Sequence, residues 1–288
     1  MDSITQAVLG ASIQGALLGR WQGRKALLYG AMLATVPDLD VVMEYGDAVA
    51  NMTYHRGFSH SLFVLSGVAL LLTWMARRFR PHPGYSANRL LLTLWLVLIT
   101  HPLLDAFTSY GTQLFWPLMP TPTAWSSLFI IDPLYTVPLI AALVISLFTG
   151  LREQSWRVPA VALAVSTLYI GFSLAGKFMA EQRVEHELAR QGIQPEQLFT
   201  TPTPLNTLLW RVIVLDGEDY HEALVGWFDD QRQRGEGGHG ASSIGKLGIV
   251  AESPDAGALC RQRGRLAKWL SARSMHCTRP QRPYRLRK

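Results

Sequence analysis

Apolar residues along this chain fall into long blocks separated by polar connections. Residues 62 to 76, 90 to 108, 128 to 150 and 158 to 176 are built mostly from Leu, Val, Ala, Ile, Phe and Trp. Three of them approach the ~20 residues that a helix needs to cross the hydrocarbon core of a bilayer. The pattern predicts four long membrane-spanning helices. Residues 3 to 19 and 26 to 36 are also apolar, but shorter and richer in small and polar side chains, which predicts a short or tilted helical hairpin ahead of the four. Beyond residue 176 the pattern changes: residues 177 to 197, KFMAEQRVEHELARQGIQPEQ, are charged and helical in period. Residues 207 to 228 then read as two strand-like runs around DGED, a turn signal of the kind that closes hairpins. The fold class expected is an all-α polytopic membrane helix bundle with a small extramembrane α+β C-terminal region. Its domains are a bundle over 1–176, a helix and β-hairpin region over 177–230, and a basic tail over 231–288.

Charge sharpens this division. Of the net +6, residues 231 to 288 hold 13 Lys and Arg against three acids and so contribute +10, while residues 1 to 230 sum to −4. The tail is rich in Arg, Gly and Ser without sustained periodicity. It reads as an aberrant or frameshifted C-terminus without packed structure, rather than as a polybasic arm for anionic lipid or nucleic acid. Nucleic acid is not an expected partner; membrane lipids and a lipid-like substrate are. The two cysteines, Cys260 and Cys277, lie in this tail and form no C-x-x-C pair, so they supply no metal motif. Asp2 stands where a signal peptide would carry a basic region, so no cleaved leader is expected. Basic residues elsewhere gather at Arg20, Arg24 and Lys25, at Arg77, Arg78, Arg80 and Arg89, and at Arg152 and Arg157. By the positive-inside rule these connections face the cytoplasm, which puts Met1, the 37–61 and 109–127 loops and everything after residue 176 on the external side.

Three polar motifs interrupt the apolar segments on that same external face. PDLD places Asp38 and Asp40 at the end of the second segment, and HRGFSHS places His55 and His60 at the entry to the third. HPLLD sets His101 and Asp105 four residues apart within the fourth, on one face of a helix. Ionisable groups at membrane depth persist when paired, solvated in a cavity or bound to an ion. Taken singly, each motif has an ordinary reading: a helix stop, an interfacial histidine pair anchored by Arg56, and a hydrogen-bonded His–Asp relay. Together, three His and three Asp converging on one face point to a metal centre, since imidazole and carboxylate are the ligands that hold zinc, manganese or iron. One ion or two fit a cluster of that size.

MDSITQAVLGA at the start, VPDLD, HRGFSHS, THPLLDAFTSYGTQLFWP and IDPLYT together resemble the YdjM-type family of bacterial membrane-bound proteins described as metal-dependent hydrolases. The likeness runs from Met1 to about Asp230. It implies an inner-membrane bundle with a divalent metal, zinc first and manganese or iron as alternatives, held by Asp38, Asp40, His55, His60, His101 and Asp105. It supplies no substrate.

The function expected is therefore an integral membrane hydrolase that uses metal-activated water on a lipid-borne or membrane-proximal ester or phosphoester. Asp38 or Asp105 is the candidate general base and Arg56 the candidate phosphate contact. Two alternatives belong to other classes: a proton-coupled transporter using the His101–Asp105 pair, and a non-catalytic metal-binding membrane protein. Gly57 lets the chain turn between the histidines, and Ser59 and Ser61 are available for supporting hydrogen bonds. Asp132 reads as a helix N-cap, Gly111 to Pro117 as an interfacial segment or lid, and Asp2, Thr5 and Gln6, on the same side, as a surface N-terminus in the first instance and as added hydrogen-bond partners in the second.

Overall fold

A computed structural model describes residues 1–42, 56–118, 122–151, 156–192, 195–216, 219–228 and 250–252. The chain is mostly helical. It begins with α1 (Ser3–Gln22), whose N-cap Asp2 accepts hydrogen bonds from the Thr5 backbone at 2.9 Å and the Thr5 hydroxyl at 2.6 Å. Gly23, at φ 59°, ends this helix in a conformation that a side chain resists. α2 (Lys25–Thr35) then folds back along it. The two backbones meet at Gly10 and Gly30, where a Cβ on either residue would collide with the carbonyl of the other. Small residues let membrane helices approach this closely. The expected hairpin therefore exists, and α1 is also the central helix of the bundle, packed against every helix described below except α3.

The other helices are α3 (Leu62–Phe79), α4 (Ala87–Ala106), α5 (Pro133–Thr149) and α6 (Arg157–Gln191). Three of these, α3, α4 and α6, are long and apolar enough to cross a membrane. α5 is shorter than the block at 128 to 150 predicted. Asp132 caps it at Leu134 N with a 3.0 Å bond, and Gly150 at φ 79° ends it after 17 residues. Of the four long spans expected, three are matched by helices of that length and the fourth block forms a shorter apolar helix. Leu70 and Trp74 on α3, Phe148 on α5 and Leu168 on α6 are exposed, the arrangement of a bundle whose outer solvent is lipid.

α6 runs unbroken through residue 176, where the sequence pattern changed. At 35 residues it rises about 52 Å, well beyond the ~30 Å hydrocarbon core. Its far end carries Ala180, Val184 and Leu188 into a second core with Trp210, Val212, Val214, Ala223 and Val225. Those last residues come from a sheet of β1 (Gln197–Thr203), β2 (Asn206–Asp216), β3 (Asp219–Gly226) and β4 (Val250–Glu252), in that order, with β1–β2 and β2–β3 antiparallel. Trp210, Val212 and Val214 alternate along β2, so the two-residue period turns all three toward the helix. The hairpin expected around DGED is β2–β3, paired from Leu209↔Gly226 to Asp216↔Asp219. β1 and β4 were not predicted, and β4 lies inside the tail read as unstructured; the rest of 231–288 falls outside the described residues. Tyr169 ties the layers together, bonding Asp132 at 2.9 Å and Thr207 at 2.8 Å.

Candidate metal centre

Pro37 stops α2 and opens a 3-10 turn, Pro37–Val42, that carries Asp38 and Asp40 across the end of the bundle. A second 3-10 turn, Phe58–His60, leads into α3 and delivers His60 fully buried. α4 contributes His101 and Asp105, one turn apart and also buried. These elements bring Asp38, His60, His101 and Asp105 together, with one ligand-type atom from each lying within 4.8 Å of all the others.

The two imidazoles face each other through Nε2, at 3.2 Å. Asp38 Oδ1 lies 3.2 Å from His101 Nε2 and 3.8 Å from His60 Nε2. Asp105 Oδ2 lies 3.5 Å from His60 Nε2 and 4.0 Å from His101 Nε2. Each ring's other nitrogen is held from outside. His101 Nδ1 donates to the Ala34 carbonyl at 2.6 Å. His60 Nδ1 donates to Ser59 Oγ at 2.8 Å, and that hydroxyl in turn donates to Asp40 Oδ2 at 2.5 Å. This fixes the tautomers with bare Nε2 atoms pointing inward. For neutral rings, two nitrogen lone pairs and two carboxylates then converge, a donor set that a cation among them would satisfy.

The donor set fits such an ion. Ligands about 2.0–2.1 Å from a tetrahedral zinc stand roughly 3.3–3.4 Å from one another, and the five separations given above bracket that value. Outward hydrogen bonds from both Nδ1 atoms are the usual support of metal-binding histidines. Asp105 Oδ2, buried, accepts no hydrogen bond among the described residues. Burial also pushes the His60 imidazole below the ordinary histidine range, which keeps it neutral.

The six residues named from sequence separate in space. Four form the cluster. Asp40 stands one step out, bonded to Ser59 Oγ and, at 3.1 Å, to the Arg56 backbone N–H. His55 lies outside the described residues. Arg56 flanks the cluster, its Nε 3.4 Å from Asp105 Oδ2. The segment after α4 closes over the two turns: Gln113 N–H donates to Arg56 O at 3.1 Å, Leu62 N–H to Leu114 O at 3.0 Å, and Ser61 Oγ to Trp116 O at 2.7 Å.

The N-terminus differs most from expectation. Thr5 and Gln6 are buried rather than on the surface. Gln6 Nε2 donates to Asp105 Oδ1 at 3.1 Å and to the His101 carbonyl at 3.2 Å, Ser3 Oγ donates to Asp38 Oδ2 at 3.2 Å, and the Met1 amine pairs with Asp105 Oδ1. The signal was present: Ser3 and Gln6 lie three apart and so share one face of the helix.

A helical protein with several membrane-spanning candidates and a buried Asp–His–His–Asp group that could hold a metal ion is the class that fold and site define. The chain belongs to the YdjM inner membrane protein family, which it matches over residues 1–180. It is 26% identical over 233 residues to YfhP of Bacillus subtilis (strain 168), covering 77% of this chain and 67% of that protein. It is 38% identical over 94 residues to the inner membrane protein YbcI of Escherichia coli (strain K12), covering 32% of this chain and 52% of that one. The chain thus spans about two thirds of the first relative and half of the second. No solved structure matches it.

Proposed function

We propose that this protein is a membrane-embedded, metal-dependent hydrolase acting on an ester or phosphoester carried by a lipid or presented at the membrane surface. The observation that carries the reading is the pair of bare Nε2 atoms 3.2 Å apart between two carboxylates. His60, His101 and Asp105 would hold the ion and leave a position for water, with Asp38 beside it, and zinc is the best match to imidazole and carboxylate ligands. When bound, a divalent cation there would acidify water and polarise the bond to be cleaved.

The protein's own groups divide the remaining work. Asp105, fully buried and held by Gln6, fixes the floor of the site. Asp38 is the member with solvent access, its side chain 24% exposed, and so it is the group that meets water. As general base it takes a proton from water while the water oxygen bonds to the acyl or phosphoryl centre. It returns that proton to the departing alkoxide as the ester bond breaks. A lipid-borne substrate suits a site at the end of membrane-embedded helices. An apolar cavity of about 490 Å³ between α1, α4, α5 and α6, lined by Leu9, Ile13, Leu104 and Ile170 among others, offers room for a hydrocarbon chain. α5 serves as a fourth span, since its 17 residues rise about 26 Å. The basic connections support a site at the external face.

Metal analysis of the purified, detergent-solubilised protein tests the reading, combined with turnover of ester and phosphoester lipids. One or two equivalents of a divalent ion and metal-dependent turnover are expected. Protein free of metal after metal-replete purification would refute the hydrolase and favour a proton relay through His60, His101 and Asp105.

A further inference from the structure

Arg56 is oddly placed for a residue whose only task is to balance a carboxylate. Its backbone takes φ 66°, a conformation uncommon for any residue but glycine. It is held there from both sides, by its N–H to Asp40 Oδ2 at 3.1 Å and by its carbonyl from Gln113 N–H at 3.1 Å. The turn thereby aims the side chain inward, where it is only 14% exposed and Nε reaches 3.4 Å from Asp105 Oδ2. Tyr110 lies beside the guanidinium, whose carbon is 5.8 Å from the ring centroid. Yet Nη1 is buried with no hydrogen-bond partner among the described residues. A guanidinium carries five N–H donors in a rigid fork, and a buried donor left unpaired is costly.

Resting on the hydrolase reading of this same site, we propose that Arg56 is the anchor for a phosphoryl group and that the substrate class is a phosphoester, not a carboxylic ester. The planar fork matches two oxygens of a phosphoryl group, with charge assistance. A neutral ester carbonyl offers a single uncharged acceptor and gives no return for holding a full positive charge beside the cluster. Asp105 occupies the Nε side of the fork, so the unpartnered Nη1 edge is the one left for the incoming anion. Asp40, bound to the Arg56 N–H and to Ser59, links the anchor to the His60 ring.

The test is binding of inorganic phosphate to the full-length protein in phospholipid-free detergent, measured by equilibrium dialysis, on wild type, Arg56→Lys and Arg56→Ala. Metal content and unfolding midpoint are read in parallel. Wild type should bind phosphate saturably and acetate should not compete. Arg56→Lys, which keeps the charge and loses the fork, should weaken phosphate at least tenfold with metal content and midpoint unchanged. Arg56→Ala should weaken it further. Micellar phosphatidate that competes with phosphate assigns the group to a lipid headgroup, and failure to compete assigns it to a soluble phosphoester; either result supports the phosphoryl anchor. Absence of saturable phosphate binding in wild type, or equal affinity in Arg56→Lys, would make Arg56 only the counter-ion of Asp105 and overturn the proposal. The hydrolase reading fails separately, on metal content and turnover. Protein that binds metal and cleaves carboxylic esters but ignores phosphate sinks the phosphoester assignment alone, whereas Arg56-dependent phosphate binding without metal leaves the anchor standing and removes the hydrolase.

Discussion

Asp38, His60, His101 and Asp105 form a site with few ligands to spare, so single replacements are informative. His60→Ala or His101→Ala should each remove most of the bound metal, and the double variant should lose little more, because the second loss acts on an emptied site. His82→Ala, on a residue stacked on Tyr85 at 4.7 Å and remote in sequence from every motif, is the control and should leave metal content unchanged. Asp40→Ala belongs between these: it loosens Ser59 and through it His60, and outer supports of this kind change metal affinity by about 10–100-fold. Metal counted by mass spectrometry on each purified variant decides the ranking, and wild-type occupancy in His101→Ala would dismantle the shared site. Acidity adds a second check. Protons compete with metal for imidazole, and burial lowers the His60 value from its ordinary 6.5 or so. The ring stays neutral at and above that ordinary value and gains its proton only as the pH falls below it, through the lowered value. Metal should therefore survive dialysis at about pH 6.5 and be released in more acidic buffer. Release that began above neutrality would contradict a neutral buried His60.

At the scale of elements, the α1–α2 hairpin supports the site from behind. α1 brings Gln6 to Asp105, and Ala34 at the end of α2 gives the carbonyl that orients His101. The hairpin depends on close backbone contact at Gly10 and Gly30. Gly30→Ala should thus destabilise by roughly 1–3 kcal/mol, the range for overpacking a tight interface. It should also reduce metal content, since displacing α2 moves the Ala34 carbonyl away from His101. Gly67→Ala, at a position with open space around it, should do neither. Denaturant unfolding in detergent alongside metal analysis reads both effects, and a Gly30→Ala protein as stable as wild type would show that the two helices are free to separate. The sheet has a different task. Its core with Ala180, Val184 and Leu188 stabilises the protruding end of α6, and Tyr169 connects it to Asp132 at the start of α5.

For the whole molecule the consequence is orientation. The end of α3, the turn after it and the start of α4 carry Arg77, Arg78, Arg80 and Arg89, whereas the segment after α4 covers the Asp–His cluster at the opposite end of those helices. With Cys260 and Cys277 replaced, Tyr85→Cys should react with a membrane-impermeant thiol reagent only from the cytoplasmic side and Phe115→Cys only from outside. The reverse labelling would place the site in the cytoplasm and change which substrates can reach it.

Much of this organisation is written in the order of residues. Blocks of apolar side chains fix where helices lie, because a backbone in lipid must satisfy its own hydrogen bonds and a helix does so locally. The spacing of His101 and Asp105 fixes their common face for the same local reason, and the alternation in residues 207 to 228 does likewise for the β2–β3 hairpin. Contacts between distant segments are decided differently. That Asp38 enters the cluster while Asp40 supports it from outside depends on how a 3-10 turn lies against Ser59 and Arg56. That α1, the most polar of the apolar segments, becomes the centre depends on glycines matching across two helices. β1 and β4 form because β2–β3 offers them edges to pair with, and the burial of Gln6 and the inward aim of Arg56 require partners supplied by α4 and by the segment that closes over it. Periodicity reports which face of an element is buried; only the packed chain decides what that face meets, because each such contact joins residues that are far apart in sequence.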